Sequence, residues 1–197
     1  MKRLLPWILV VSLALALAWV MVSWHPGEND GGHLSGPPKG GDFVLQSADG
    51  PVSLEQLRGK VVVLYFGYTW CPDICPTSLG LLSAALNELS TQELARFQAL
   101  FISVDPERDS VERLREYAAY FHPAILGVTG TPEQLQRVAR QYGAAYRIVR
   151  QDSAAGYLVD HSADLYVIDK QGRLRETLHH GTPPERILEV LKRYLAE

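Results

Sequence analysis

The sequence predicts an α/β fold with a mainly parallel central sheet, helices on both faces and an antiparallel hairpin at its C-terminal end. Segments 60–67 and 97–104 are runs rich in apolar and β-branched residues, the pattern of strands buried on both faces. Segments with helical periodicity lie between the strands, and this alternation favours parallel pairing. The turn Asp169-Lys170-Gln171-Gly172 joins 163–168 to 173–178 and predicts the hairpin.

Each further element has a local signal of its own. The turn residues Ala48-Asp49-Gly50 separate 43–45 from 51–53 and predict a small hairpin near the start of the fold. Leucines spaced three and four residues apart predict a helix over 76–89. A capping residue followed by proline begins the predicted helix 131–142. The other predicted helices are 110–121 and 182–195, and the other predicted strands are 125–129 and 145–149.

Three segments of different composition divide the 197 residues. Residues 4–24 carry no charged side chain, and their length is close to the ~20 residues that cross a bilayer as a helix. We therefore predict a single N-terminal transmembrane helix, with 1–24 as the membrane anchor. Half of residues 25–42 are Gly or Pro, which predicts a flexible tether. Residues 43–197 are the predicted folded domain, large enough for one hydrophobic core.

Charges beside the anchor predict its orientation. Lys2 and Arg3 precede the apolar segment, and positive charge favours the cytoplasmic side of an inner or cytoplasmic membrane. The folded domain is therefore expected on the periplasmic, extracytoplasmic side. A cleaved signal peptide is the alternative, since Ala14-Leu15-Ala16 has the small-x-small pattern of a cleavage site. The apolar run continues through Trp19, Val20, Met21 and Val22, which favours an uncleaved anchor.

The overall charge of the chain argues against nucleic acid as a partner. The formal net charge is −3, and no cluster of Lys or Arg follows the anchor, so we expect no binding to nucleic acid. A domain on a long tether needs no second chain in order to fold. We therefore expect a monomer.

Cys71 and Cys75, the two cysteines of the chain, come directly after the first buried strand. A dithiol where a strand enters a helix is the thioredoxin-like arrangement, and open α/β sheets bind ligands at this edge. Such a pair exchanges electrons or binds a soft metal ion. Pro76 suits the first position of a helix. We therefore predict that Cys75 is the helix N-cap and that the positive helix end lowers its thiol pKa.

Several interpretations of this cysteine pair compete. A thioredoxin-type redox pair has two residues between its cysteines, one fewer than here. A structural zinc site prefers four protein ligands, and a structural disulfide would close only a very small loop. A peroxiredoxin-type peroxidase has Pro and then Thr or Ser upstream of its cysteine, where this chain has Leu64 and Tyr68. What remains is a soft-metal site that also acts as a redox dithiol.

Copper suits such a site if a histidine supplies the third ligand. Two thiolates and an imidazole suit Cu(I), and they suit Cu(II) when an oxygen ligand is added. His161 is the best candidate, because a thioredoxin-like topology brings its segment towards the dithiol, and Asp160 could orient its imidazole. The alternative is that His161 is only a hydrogen-bonded residue at a strand start. Residues 43–197 contain no methionine, which excludes a thioether-rich copper site.

Segment 105–109, Asp-Pro-Glu-Arg-Asp, follows the second buried strand. It is therefore expected at the same sheet edge as the dithiol. The simplest interpretation is a charged entry to the next helix, and a docking contact with a partner is the minor alternative.

Three motifs of the chain resemble the Sco/SenC family. They are Tyr-Phe-Gly-Tyr-Thr-Trp-Cys-Pro-Asp-Ile-Cys-Pro at 65–76, Ser-Val-Asp-Pro-Glu-Arg-Asp at 103–109 and Tyr-Leu-Val-Asp-His-Ser at 157–162. The resemblance implies a thioredoxin-like fold and copper bound by Cys71, Cys75 and His161. It also implies a role at the dinuclear CuA centre of cytochrome c oxidase. Trp70 departs from the many relatives that have His there, and we expect copper binding to be unaffected because that His is not a ligand.

Two functions of different classes follow from the resemblance. The first is a membrane-tethered copper chaperone that delivers copper to the oxidase subunit carrying CuA, with other copper chaperones as further partners. The second is a thiol-disulfide reductase that keeps the copper-ligand cysteines of the oxidase reduced, itself served by a thioredoxin-like reductant. A redox or copper sensor is a third interpretation. Apart from redox activity of Cys71 and Cys75, we do not expect a conventional enzyme.

Overall fold

The computed structural model describes residues 16, 17, 19, 38–150 and 156–197. Most of the predicted anchor and tether therefore lies outside the described residues. Among the residues that are described, no helix is both long and apolar enough to span a membrane. The chain divides into two compact units, Met1–Ser35 and Gly36–Glu197.

Nine strands and five α-helices occur in described residues 38–150 and 156–197. In chain order they are β1 Val44–Ser47, β2 Gly50–Ser53, β3 Val61–Gly67, α1 Ile74–Leu86, α2 Thr91–Leu94, β4 Phe97–Ser103, α3 Val111–Phe121, β5 Ile125–Val128, α4 Pro132–Tyr142, β6 Tyr146–Arg150, β7 Tyr157–His161, β8 Leu165–Ile168, β9 Leu174–Leu178 and α5 Pro184–Ala196. Strands β1 and β2 form the small hairpin that the sequence predicts near the start of the fold.

The central sheet has five strands in the order β5–β4–β3–β8–β9. Strand β4 pairs in parallel with β3 and β5, whereas β8 pairs antiparallel with β3 and β9. The predicted C-terminal hairpin is therefore confirmed. The sheet is evenly mixed rather than mainly parallel, because two of its four strand pairings are antiparallel. The hairpin supplies both of them, the pairing of β8 with β9 and the pairing of β8 with β3.

Strand β3 separates two hydrophobic cores. Its side chains alternate in direction, so Val61, Val63 and Tyr65 lie in one core and Val62, Leu64 and Phe66 in the other. Helices α1, α3 and α5 cover the first core, and β1 and α4 cover the second. Both faces of the sheet are therefore covered, as the sequence predicts.

Capping residues mark where the helices begin. Thr131 forms a capping box with Gln134 at the start of α4, as predicted, and Ser110 caps α3. Ser90 and Glu93 form a second capping box that begins the short helix α2, which periodicity did not predict. Four residues are too few for apolar periodicity to be visible, although the Ser-x-x-Glu signal is present.

The end of the predicted tether contacts the domain. The Gly40 N–H donates to the Gln141 carbonyl at 3.0 Å, and the Tyr142 hydroxyl donates to the Gly41 carbonyl at 2.8 Å. Asp42 forms an ion pair with Arg58. The compact unit therefore includes residues that composition assigned to the tether.

Strands β6 and β7 form a two-stranded antiparallel sheet that is separate from the central one. The predicted strand 145–149 corresponds closely to β6, but β7 was not predicted. Its register pairs Tyr146 with His161 at one end and Arg150 with Tyr157 at the other, so His161 lies at the end opposite to Tyr157.

Gly127 of β5 lies directly against α3. A Cβ atom at this position would overlap the backbone carbonyl of Leu114, which cannot move away as a flexible side chain could. We therefore expect Gly127→Ala to lower the free energy of unfolding by about 1–3 kcal/mol, measured by urea unfolding followed by circular dichroism.

Gly80→Ala is the matched control for this prediction. Gly80 lies on the exposed side of α1, where nothing lies within 4 Å of an added Cβ, so alanine should raise stability by up to about 1 kcal/mol. A Gly127→Ala variant as stable as the wild type would contradict the close contact between β5 and α3.

Candidate metal centre

Three side chains from distant parts of the sequence meet at the edge of the central sheet. The Nε2 atom of His161 lies 3.3 Å from Sγ of Cys75 and 3.6 Å from Sγ of Cys71. The three candidate ligand atoms all lie within 4.8 Å of one another, so a single ion could contact all of them. The structure therefore brings together the three residues that the sequence analysis selected.

The two cysteines are placed by the end of β3 and the first turn of α1. The helix begins at Ile74 with Asp73 as its N-cap, so the prediction that Cys75 is the N-cap is wrong. Pro76 occupies the third helical position instead of the first. This is tolerated because the first N–H groups of a helix have no partner within the helix, so proline loses no hydrogen bond there.

His161 is oriented by the backbone that follows it. Its Nδ1 atom lies 3.0 Å from the Ser162 carbonyl oxygen, which can only accept, so the proton is on Nδ1. Nε2 then carries the lone pair that a metal requires. The prediction that Asp160 orients the ring is wrong, because the Asp160 carboxylate instead pairs with Arg147 at 2.8 Å on the exposed side of the hairpin. Alternation along a strand turns neighbouring side chains to opposite faces.

The two thiols differ strongly in exposure and acidity. Cys75 is fully buried, and burial raises the pKa of its thiol; the predicted lowering is therefore wrong. A hydrogen bond from Cys75 lowers the pKa of the half-buried Cys71 to about 4, with further help from His161. Burial lowers the pKa of His161, but its bonds to Cys71 and to the Ser162 carbonyl together raise it above the usual value. Cys71 is therefore the reactive thiolate of the pair.

Aromatic rings enclose the imidazole on its protein side. The rings of Tyr65 and Tyr68 meet the His161 ring edge-on, with centroids 6.2 and 5.8 Å away. Burial raises the pKa of both phenols, so the two tyrosine side chains beside His161 stay uncharged. On the solvent side, a surface cleft reaches Cys71, and the exposed side chain of Ile74 lies at its rim. The site is therefore open to a partner on one side only.

The 105–109 turn lies beside the dithiol, as predicted, but it is more than a charged helix entry. The buried carboxylate of Asp109 accepts hydrogen bonds from the backbone N–H and the hydroxyl of Thr69, at 2.9 and 2.6 Å. It also accepts a bond from the Ser103 hydroxyl at 2.6 Å. These contacts hold the loop before Cys71 against the end of β4. The sequence contained no local signal for this role, because an acidic side chain near a helix start is usually solvated.

The other histidines of the described residues, His122, His179 and His180, do not line this cleft. His122 follows α3 as its C-cap and is buried, and burial lowers the pKa of its imidazole. His180 contacts Ser78, and His179 pairs with Asp164. Within the described ranges, Cys71, Cys75 and His161 are the only group of three or more residues that could hold a metal ion. A structural zinc site, which needs four protein ligands, therefore fits poorly, whereas a three-ligand thiolate and imidazole set fits copper.

Sequence comparison assigns the chain to a family. The SCO1/SenC family model matches residues 32–196. The chain belongs to the SCO1/SenC family. A similar relative is the mitochondrial protein SCO2 of Saccharomyces cerevisiae, 40% identical over 155 residues, which are 78% of this chain and 52% of that protein. A SCO2-like protein of Rickettsia felis is 36% identical over 155 residues, covering 78% of this chain and 75% of the relative. The chain thus spans only part of these relatives, about half of the yeast protein.

Solved structures of family members share this fold. The crystal structure of Arabidopsis thaliana ScoI with copper bound superposes with a TM-score of 0.73 at 37% identity, covering 80% of this chain and 99% of that one. The solution structures of apo Sco1 from Thermus thermophilus give a TM-score of 0.71 at 40% identity, covering 81% and 92%. The mixed α/β, thioredoxin-like fold predicted from the dithiol motif is thereby confirmed.

Alkylation of the reduced protein should distinguish the two thiols. Iodoacetamide reacts with thiolates, so we expect the half-exposed Cys71 to be modified first and the buried Cys75 only after unfolding. Because the lowered pKa preserves the Cys71 thiolate, labelling should persist down to about pH 5. Mass spectrometry of the labelled protein, with Cys71→Ser as control, measures both rates. Faster labelling of Cys75, or loss of Cys71 labelling well above this pH, would contradict the asymmetry.

Proposed function

We propose that this chain is a copper chaperone that holds one copper ion between Cys71, Cys75 and His161 and delivers it to the CuA centre of cytochrome c oxidase during assembly. The observation that carries the proposal is the meeting of two sulfurs and an imidazole nitrogen in one cleft. Membership of a family in which a related protein has been solved with copper bound supports the choice of metal.

The difference between the two sulfurs suits delivery. Cys75 is fully buried and serves as the retaining ligand, whereas Cys71 is half-exposed at the cleft and is the ligand that an incoming thiolate reaches first. Copper would then pass by ligand exchange, one bond forming as another breaks, without release into water. The proposed receiver is the oxidase subunit that carries CuA, and other copper chaperones are the proposed suppliers.

A Cu(I) titration tests the three-ligand site. In the reduced, anaerobic protein we expect one tightly bound copper per chain, and we expect His161→Ala to weaken binding by at least about a hundredfold, since even outer contacts of metal ligands contribute tenfold to a hundredfold. Competition with a Cu(I) chelator measures both affinities.

His179→Ala is the control, because His179 is a histidine with an exposed side chain (86%) and lies outside the cleft. It should bind as tightly as the wild type. Unchanged affinity in His161→Ala would remove the histidine from the site and would count against the chaperone.

A thiol-disulfide reductase is the second candidate function, and the thiol asymmetry favours it as well. The Cys71 thiolate would attack a disulfide of the oxidase subunit, forming a mixed disulfide and releasing one partner thiolate. Cys75 would then attack Cys71, forming an internal disulfide and leaving the partner as a dithiol. Two electrons pass to the partner, so a thioredoxin-like reductant must restore the pair. A copper or redox sensor would use the same residues.

His161→Ala separates the two functions. Disulfide exchange needs only the sulfurs, so we expect this variant to reduce oxidised glutathione at a rate within about threefold of the wild type while its copper affinity is lost. Stopped-flow detection of the released thiol measures the rate, and Cys71→Ser should abolish it. Equal loss of exchange and copper binding in His161→Ala would show that the two activities are not separable.

The sequence supports a membrane setting for this function. Residues 1–24 would anchor the chain in the membrane with a cytoplasmic N-terminus, and the copper-binding domain would act as a monomer on the extracytoplasmic side. The segment 25–42 would provide reach towards a membrane-bound partner.

A further inference from the structure

The position of His161 depends on side-chain contacts between the β6–β7 hairpin and the rest of the domain. The hairpin pairs with itself and does not join the central sheet. Alternation along β7 turns Tyr157, Val159 and His161 to the same face. Val159 lies in the second hydrophobic core, His161 lies at the dithiol, and Tyr157 contacts the 105–109 turn. Tyr157 is therefore the contact on β7 that lies furthest from the metal centre.

Tyr157, Arg108 and Asp105 form a closed set of contacts, which we call the Arg108 clamp. The guanidinium of Arg108 stacks on the Tyr157 ring, 3.6 Å from its centroid, and Nη1 donates to the Tyr157 carbonyl at 2.9 Å. Nε of Arg108 pairs with Asp105 at 2.5 Å, and the Tyr157 hydroxyl donates to the same carboxylate at 2.7 Å. Asp105 is buried, so its charge is balanced by this arginine.

The same turn holds the other half of the metal centre. The Asp109 N–H donates to the Asp105 carbonyl at 3.0 Å, and the Asp109 carboxylate binds Thr69 in the loop before Cys71. The turn therefore contacts the dithiol loop through Asp109 and the histidine hairpin through Asp105 and Arg108. Tyr68 links the two sides, because its hydroxyl accepts from the Val159 N–H at 3.3 Å.

We propose that the Arg108 clamp is a positioning device: it fixes β7 so that His161 reaches the two sulfurs, and Arg108 and Tyr157 are positioning residues for the metal site. The clamp acts through His161, whereas Asp109 holds the loop that precedes Cys71. Its effect on copper rests on the proposed function, whereas its effect on the place of His161 in the metal-free protein does not.

Arginine is required at this position because of its shape as well as its charge. A planar guanidinium can stack on a ring, pair with a carboxylate and bond to a carbonyl simultaneously, which a lysine ammonium cannot do. Arg108→Lys keeps the positive charge beside Asp105. It loses the stacking on the Tyr157 ring and the planar set of N–H donors that contacts the carboxylate and the carbonyl together. Tyr157→Leu removes the ring and leaves the pair between Arg108 and Asp105, so it provides a second variant should the first fail to fold.

The first measurement uses the full chain without metal, kept in detergent. Nuclear Overhauser contacts between the ring protons of His161 and those of Tyr65 and Tyr68 report the position of the imidazole. We expect Arg108→Lys and Tyr157→Leu to weaken or lose these contacts while circular dichroism shows a folded domain. Arg147→Gln, which removes an exposed ion pair on the same hairpin, should keep them.

The second measurement is a double-mutant cycle of Cu(I) affinity. Arg108→Lys should weaken Cu(I) binding about tenfold in the otherwise unchanged chain, which is within the range of interaction energies for residues in one network. It should have no effect on Cu(I) affinity in the His161→Ala background. Arg147→Gln should leave the affinity unchanged in both.

The outcomes separate this inference from the proposed function. Retained ring contacts in both clamp variants would overturn the clamp, and so would an equal loss of affinity with and without His161. Lost ring contacts with unchanged affinity in every variant, including His161→Ala, would support the clamp and overturn the three-ligand copper site.

Discussion

Burial of β3 on both faces is the constraint around which the rest of the molecule is arranged. A strand without a charged side chain, buried at every residue, can be accommodated only if helices or strands cover each face, and the two hydrophobic cores do this. The packing on the two faces of β3 ends at the C-terminal end of the strand. The chain leaves the sheet at Gly67, and the next residues form the loop that contains Cys71. A reactive dithiol at the sheet edge is thus a direct consequence of how the centre of the fold is packed.

Close packing also explains why the two sulfurs differ. Cys75 lies in the first turn of α1, whose inner face belongs to the first core, and its sulfur approaches so closely that a Cβ on Gly67 would overlap it. Cys71 lies one helical turn earlier, in the loop, where the cleft reaches it. One sulfur is therefore suited to retention and the other to exchange. Either proposed function, copper delivery or disulfide reduction, requires this division.

The third ligand has a different structural origin. His161 comes from a hairpin outside the central sheet, so main-chain pairing with β3 or β8 does not fix it. Its ring is held by the Ser162 carbonyl, by the edges of two tyrosines and, more remotely, by the Arg108 clamp. A ligand held by side-chain contacts is easier to move than one held by a sheet. A site that must both bind and release a metal ion gains from one such ligand.

The sequence by itself determined the buried strands, the terminal hairpin, most helix starts and the three candidate ligands, because each depends on local periodicity, capping chemistry or residue type. Only the tertiary structure decided which sulfur is buried, where α1 begins and that Ser162 rather than Asp160 orients His161. It also decided that Asp105 and Asp109 of the 105–109 turn are buried and contact both halves of the site. The burial of Cys75, Asp105 and Asp109 depends on partners tens of residues away in the sequence, and burial by distant segments leaves no local signal.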